Sequence, residues 1–420
     1  METGRLYRYS AASAEECEVS LLERDLAAYT GHEYCVALNS CGAAIFLALW
    51  SAGARPGDRV LSNVFTFAAV PSAVVHAGCE PVYVECTPEY TMCLDDLARK
   101  AAASGARFCV LSHMRGKVAD LDRARAICAA HGVVLIEDCA HSLGVLWRGG
   151  HTGHAGAAAC FSSQSYKMLN SGEGGFLCTD DPDLAARAVL GAGAYEQLFD
   201  RHLQAPPAEG FAPHADGRVP NFSLRMHAVT AAMLRPQIGT LEARIAEYNR
   251  RYARVVARLR AHPSVRVPDQ LPEVRIVGDS VQFNLPGSLA PATLEAFVAG
   301  CKARGAPVEI FGAADNARNF QNWRFAAPAA GCERSLRILQ YAADLRLPLT
   351  FDQADLDTAV DVVLFALDEA LPEGGWSPVV GHPGVPRGEA QLSPDLIEAL
   401  HSPEVYHSAR AKQVLLVGES

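Results

Sequence analysis

The chain has 420 residues, half of them hydrophobic and a fifth charged, and a net charge of −10. That composition is globular, and the length allows two domains with large cores. The acidic balance counts against nucleic acid or an anionic membrane as the main partner, and no apolar run of about 18 residues is present to span a bilayer.

The N-terminal Met-Glu-Thr-Gly-Arg lacks a basic segment followed by an apolar one, so no secretory signal is expected. Residues 14–29 place Val19, Leu22, Leu26 and Tyr29 on one helical face. From residue 34 short apolar runs alternate with amphipathic helices. The expected strands are Cys35–Asn39, Arg59–Asn63, Pro81–Glu85, Phe108–His113, Val133–Asp138, Ala157–Ser162 and Gly175–Thr179. Helices are expected at Ala43–Ala52, Phe67–Ala77, Leu94–Ala103 and Asp120–His131. This rhythm predicts an α/β fold, a mostly parallel seven-stranded sheet between helices. Such sheets bind ligands beyond the carboxyl ends of their strands.

Residues 190–220, rich in Gly and Pro, read as a long functional loop. A long helix from Leu241 to Ala261 then leads into a smaller α+β domain. Its expected elements are a strand at Ser280–Leu285, a helix at Pro291–Arg304, a strand at Pro307–Phe311 and helices at Arg334–Ala343 and Asp352–Glu369. Asp352 fits an N-cap. The domain boundaries are set at 1–240 and 241–370, with a Pro/Gly-rich tail over 371–420 that carries two short helices opened by Ser-Pro. The 13 cysteines include no CxxC pair, and several lie in apolar runs, which fits reduced thiols in a cytoplasmic protein. His151 and His154 lie in a Gly-rich stretch without a Cys or carboxylate cluster, so no metal site is expected there.

Three stretches carry chemistry. In Cys160-Phe-Ser-Ser-Gln-Ser-Tyr-Lys-Met-Leu-Asn-Ser-Gly-Glu-Gly-Gly175 a strand end and a glycine-rich turn place Lys167 between two strands. Desolvation there would free its amine to attack a carbonyl, as in a Schiff-base lysine; the ordinary alternative is a lysine reaching solvent from an exposed turn. In Val133-Val-Leu-Ile-Glu-Asp138 an apolar strand ends in Asp138, which can pair with a protonated pyridine nitrogen or cap a helix. His141, three residues on, could reach the ring's phenolic oxygen. In Ala37-Leu-Asn-Ser-Cys-Gly-Ala43 a strand runs straight into a helix, so Cys41, Gly42 and Ala43 form an anion cup or a plain tight turn. Phe67 is the aromatic that could stack on the ring, although by itself it reads as a core residue. Together the pieces describe a site for pyridoxal 5'-phosphate.

The sequence resembles the DegT/StrS-like, sugar-aminotransferase class of fold-type-I pyridoxal phosphate enzymes over residues 10–370. The family's Phe-Ser-x-x-x-x-Lys-x-Leu-x-x-Gly-Glu-Gly-Gly stands here as Phe161-Ser162 through Lys167 and Leu169 to Gly175. The resemblance implies that Lys167 binds the cofactor carbonyl and that Ser162 contacts the phosphate. Glu137-Asp-Cys-Ala-His141 matches the family's Glu-Asp-x-Ala-Gln/His, which implies Asp138 on the pyridine nitrogen, and Phe67 matches its stacking aromatic. Asn221 matches an asparagine that reaches the neighbouring subunit's phosphate, implying a homodimer with shared sites. There are three departures. The Ser-Gly-Thr phosphate turn is Ser40-Cys41-Gly42. The Val-His-x-Tyr-Gly pattern is Ser112-His-Met-Arg-Gly116, which puts Arg115 and Lys117 near the site. The small domain's His-Tyr-Pro is replaced by Val308-Glu-Ile-Phe-Gly312 and Asn322-Trp-Arg324. The last two count against a nucleotide-sugar substrate. Arg115, Lys117 and Tyr195 are the expected substrate contacts; Arg115 could bind a carboxylate or phosphate, or equally form a surface ion pair.

The expected activity is transfer of an amino group from an amino acid, glutamate or glutamine, to a ketone or aldehyde on a sugar, a cyclitol or a related biosynthetic intermediate. One branch of the resembling family dehydrates sugars with His in the lysine's place, and Lys167 argues against that branch. A lyase or decarboxylase on the same scaffold and a non-catalytic regulator of the same fold are the alternatives. The intact Lys167, Asp138 and Ser162 argue against the second.

Overall fold

A computed structural model describes residues 4, 6–306 and 308–371, without the side chains of 195–197. Beyond Leu371, the expected tail and its two short helices lie outside the described residues. The chain divides into two compact units: residues 1–242, 270–277 and 320–335, and residues 243–269, 278–319 and the chain from 336.

The larger unit carries, in order, α1 (Glu18–Thr30), β1 (Tyr34–Leu38), α2 (Cys41–Ser51), β2 (Arg59–Asn63), α3 (Ala69–His76), β3 (Glu80–Val84), α4 (Leu94–Ser104), β4 (Phe108–Ser112), α5 (Leu121–Ala130) and β5 (Val134–Asp138). There follow β6 (Leu146–Trp147), β7 (Gly150–His151), β8 (Ala158–Ser162), β9 (Gly175–Thr179), α6 (Pro182–Gly193), α7 (Ala208–Phe211), α8 (Ala228–Ile238) and β10 (Val274–Arg275). Seven strands form one sheet in the order β1-β9-β8-β5-β4-β2-β3. The neighbours from β8 to β3 pair in parallel, and β9 runs against both β1 and β8. Covered on both faces, its inner strands are near-continuous apolar runs: β4, β8 and β9 are buried at every residue. α2 is apolar almost all round and accordingly lies in the core, with Ile45, Leu47 and Leu49 fully buried among residues of α3 and α6.

This direction of strands gathers Leu38, Asn63, Ser112, Asp138 and Ser162 at one edge of the sheet, joined there by Gly175 at the start of the reversed β9. The expected loop at 190–220 is partly helical. α6 runs to Gly193, a 3-10 turn spans Tyr195–Arg201, and α7 follows. Gly191 is tolerated inside α6 because a Cβ there would come within 3.0 Å of Leu47 and 3.3 Å of Trp50, so the glycine is a packing residue.

A buried charge cluster fastens the N-terminal segment to this unit. Arg8 grips both oxygens of Glu23 in α1, with Nη1 2.8 Å from Oε2. Glu23 Oε1 also accepts from the Ala37 N–H of β1 at 2.7 Å, and His202 Nδ1 lies 3.5 Å from Oε2.

Next along the chain come α9 (Leu241–Leu259), β11 (Ser280–Asn284), α10 (Pro291–Ala303), β12 (Glu309–Ile310), α11 (Glu333–Leu339), β13 (Ala342–Arg346) and α12 (Gln353–Ala370). The smaller unit's sheet has the order β11-β13-β12, all antiparallel, over a core that includes Phe283, Phe297, Leu345 and Val360. Its central strand is the main departure from the sequence expectation, which ran a helix to Ala343. The helix stops at Leu339, and residues 342–346 pair with β11 and β12 instead. Ala-Ala after a helical pattern favours helix locally. Pairing on both edges, with Gln282 Nε2 donating to Asp344 Oδ1 at 2.8 Å, outweighs it. Asp352 caps α12 as expected, in a reciprocal capping box with Asp355.

Candidate active site

Adjacent side chains on a strand point to opposite faces, and β5 ends on two acids. Glu137 and Asp138 therefore serve different ends. Glu137 is fully buried and accepts from the N–H groups of Gly153, Ala155 and Gly156 and from His113 Nε2 at 2.8 Å. Burial opposes its charge, but the His113 hydrogen bond and these backbone donors override burial and hold the carboxyl below the usual carboxylate range. Its work is to pin the glycine-rich 149–156 stretch. His113, Glu137 and Cys139 have donor atoms within 4.8 Å of one another, but both Glu137 oxygens are already engaged by N–H donors. Among the described residues, neither His151 nor His154 belongs to the one group of three metal-type side chains that lies close together. His154 stacks on His32 at 3.9 Å and bonds the Thr30 carbonyl.

Asp138 faces the sheet edge. Its Oδ2 accepts from Ser112 Oγ at 2.6 Å, and its Oδ1 from the Ala140 N–H at 3.1 Å and, at 3.9 Å, from the Cys41 thiol. Burial, reinforced by the Asp138 carboxylate, pushes the Cys41 thiol well above its usual range, so it stays a neutral S–H. Lys167 is half-buried, with Nζ 2.8 Å from His141 Nε2. The structure thus joins His141 to the lysine amine. The turn that presents Lys167 is closed by Ser163 N–H to Gly174 O, Ser165 N–H to Gly172 O and Lys167 N–H to Gln164 O, each 2.9–3.1 Å. Gln237 of α8 brackets it from outside, accepting from the Asn170 N–H at 2.9 Å and donating to the Asn170 carbonyl at 2.6 Å.

The helix start at 40–43 completes the edge. Ser40 caps α2 by accepting from the Ala43 N–H at 3.0 Å, which leaves the N–H groups of Cys41 and Gly42 for an anion. A Cβ on Gly42 would meet only its own cap, 3.9 Å away, so the first turn opens onto free space. Gly175 has the opposite environment. A Cβ there would collide with the backbone of Ser40 and Cys41. Gly175→Ala is therefore expected to push the start of α2 off the sheet and destabilise the protein by about 1–3 kcal/mol, read as a lower unfolding midpoint.

Ser162, at the end of β8, is buried, and its Oγ accepts from the Gln164 N–H at 3.3 Å. Phe67, after β2, is 44% exposed. Arg115 and Lys117 are both buried; Arg115, with the left-handed φ of 57°, lies in the 3-10 turn Met114–Gly116 that follows β4, and Lys117 is the extended residue after it. This turn lies against His141, since a Cβ at Gly116 would be 3.2 Å from the His141 carbonyl. Asn221 is exposed, and its Oδ1 accepts from Ser223 N–H at 2.9 Å and Arg225 Nη1 at 3.1 Å. The Tyr195 side chain lies outside the described residues.

Sequence reasoning missed Ser112, Thr66, Asn63 and Gln237. A usable signal for Ser112 was its position: it is the last residue of β4, in register with Asp138 on the adjacent parallel strand.

These residues fit pyridoxal phosphate. An open helix start, a carboxylate aimed at the crevice and a lysine amine on one sheet edge match its phosphate, ring nitrogen and carbonyl in chemistry and order. Among solved structures, the chain is similar to 3-amino-5-hydroxybenzoic acid synthase, at 23% identity and a TM-score of 0.75, covering 88% of this chain and 94% of that one. At that identity the likeness shows the fold alone. Among curated proteins, it is 42% identical over 165 residues to an L-glutamine:2-deoxy-scyllo-inosose aminotransferase of Streptoalloteichus tenebrarius, covering 39% of each chain. It is also 42% identical over 161 residues to the L-glutamine:scyllo-inosose aminotransferase of Streptomyces griseus, covering 38% of each. The matched stretches span 39–51% of the length of the first curated relatives. The family profile reaches much further, from residue 12 to residue 355, and on that match the chain belongs to the DegT/DnrJ/EryC1/StrS aminotransferase family.

Proposed function

We propose that the chain is a pyridoxal-phosphate-dependent aminotransferase that takes an amino group from L-glutamine or L-glutamate and delivers it to the keto group of a cyclitol or sugar. The observation that carries the reading is the pair of Lys167 against His141 at 2.8 Å beside a carboxylate, Asp138, fixed by three donors. The two inosose aminotransferases named above support glutamine as donor and a keto-cyclitol as acceptor.

Bound pyridoxal phosphate supplies an electron-withdrawing ring that stabilises negative charge at the carbon beside the transferred nitrogen. The chain's residues do the rest. The N–H groups of Cys41 and Gly42, with Ser162, would hold the phosphate. Asp138 would hold the ring nitrogen's proton, and Phe67 would cover one ring face. Lys167 Nζ would hold the cofactor carbonyl, then take the proton from the donor's α-carbon and return it. His141 Nε2, in hydrogen-bond contact with that amine, keeps it aimed while it is unprotonated. Arg115, Lys117 and Tyr195 are the proposed acceptor contacts. The proposed assembly is a homodimer in which Asn221 reaches the partner's phosphate. All 13 cysteines are free thiols, which supports a reducing, cytoplasmic setting.

The test is spectroscopic. Protein loaded with pyridoxal phosphate should show a visible band that L-glutamine or L-glutamate converts to an ultraviolet one with release of a keto acid. 2-Deoxy-scyllo-inosose or scyllo-inosose should then restore the visible band. Release of CO₂ or an eliminated group would replace the aminotransferase with a decarboxylase or lyase, and failure to bind the cofactor would end the reading.

A further inference from the structure

The Asp138 carboxylate is the end of a chain of hydroxyl groups. Thr66 Oγ1, in the turn after β2, donates to Ser112 Oγ at 2.8 Å, and Ser112 Oγ donates to Asp138 Oδ2 at 2.6 Å. Thr66 and Ser112 are buried, so no bulk solvent competes for these protons. Ser112 is itself clamped. Asn63 Nδ2 donates to its carbonyl at 2.7 Å, and Asn63 Oδ1 accepts from its N–H at 2.9 Å. Three strand ends, β2, β4 and β5, are thereby locked to one another through side chains at the edge where the site sits.

The direction of the chain matters. A hydroxyl can donate only one proton. With Thr66 donating into Ser112, the Ser112 proton is committed to Asp138. That fills one lone pair of Oδ2 and stops rotation of the carboxylate about its last torsion. Oδ1 already accepts from both the Ala140 N–H and the Cys41 thiol, so Oδ2, which among the described residues accepts from Ser112 alone, keeps the capacity for a further donor. The ionisable groups around the carboxylate are Cys41 at the start of α2, Cys139 next to it, Cys160 on β8, and Lys167, whose charge also acts on Cys41. The Cys41 S–H donates to Oδ1, on the other side of the carboxylate, and the contact at Oδ2 is the one Ser112 supplies.

We infer that Ser112, itself aligned by Thr66, is a positioning residue that presents the Asp138 carboxylate to a ring N–H donor of the bound cofactor. The inference rests on the pyridoxal phosphate reading above. Position 112 touches neither the phosphate cup at 41–42 nor Lys167 in any hydrogen bond of the described residues. Its loss should therefore be felt only through the ring nitrogen.

The experiment is a binding titration of apo-protein with pyridoxal phosphate and with its 1-deaza analogue, which has carbon in place of the ring nitrogen. Ser112→Ala is expected to weaken pyridoxal phosphate about tenfold, as loss of a hydrogen bond to a charged group does, while the analogue changes less than about twofold. Ser112→Thr should restore the affinity. Thr66→Val, which leaves the Ser112 hydroxyl in place but unaligned, should give a smaller loss with the same selectivity. Equal loss for both ligands, as from general damage to the fold, or no loss for either, overturns the inference. Wild-type protein that binds neither ligand overturns the cofactor reading instead, so the two failures are separable.

Discussion

Lys167→Ala is expected to lower transamination by about four orders of magnitude, the upper end of what one positioned acid–base group contributes. The side chain has two tasks in the proposed mechanism, holding the cofactor carbonyl and carrying the α-proton, and alanine does neither. Stability should change little. Lys167 is half-buried, and its turn is closed by backbone hydrogen bonds and by Gln237, none of which needs the amine. The variant should therefore bind pyridoxal phosphate through the α2 cup and Asp138, with an altered visible band. A small exogenous amine supplied in the buffer should recover part of the proton transfer. The checks are single-turnover absorption with L-glutamine and a thermal melt. Turnover within tenfold of wild type would remove Lys167 from the mechanism.

The main features of this site were legible because they are local in sequence. The stretch from Ser162 to Gly175 shows strand end, lysine and glycine closure within one run of sequence, and Asp138 is marked by the apolar run that ends on it. The large sheet was legible for a related reason. Strands buried on both faces are near-continuous apolar runs and need no register to be recognised. What escaped depends on pairing. Ser112 acquires its role from Asp138, 26 positions away, and Gln237 from Asn170, 67 positions away. Neither residue differs in its own neighbourhood from an ordinary serine or glutamine. β13 escaped likewise: Ala342 and Ala343 are strand residues only because β11 and β12 lie on either side. Glu137 shows the limit inside a recognised motif. The Glu-Asp pair is visible, but the division of labour, one acid for a loop and one for the crevice, follows from the two faces of the strand.

The same logic identifies Glu23 as the carboxylate whose loss should cost most stability. Burial disfavours its charge, but the Arg8 guanidinium and His202 beside it override burial and hold its carboxyl at about 2. His202 itself is pulled down by burial and by Arg8, so at neutral pH it meets Glu23 as a neutral ring. In Glu23→Gln an amide NH₂ must face either Arg8 Nη1 at the Oε2 position or both Arg8 and the Ala37 N–H at the Oε1 position, donors against donors. Arg8 is left buried without a counter-charge, so the variant should lose about 3–5 kcal/mol of unfolding free energy in denaturant titrations at pH 7. The pH dependence gives the prediction a sign. A carboxyl whose folded pKa lies below its unfolded value stabilises fully above the unfolded value and loses that contribution as pH falls through the folded one. With an ordinary value of 4.5 and a folded value of about 2, the gap between wild type and Glu23→Gln should be widest above pH 4.5 and shrink by about 3 kcal/mol on descending towards 2. A gap that stays constant over that window would mean that the carboxylate's charge contributes nothing and that its shape alone anchors the N-terminal segment to α1 and β1.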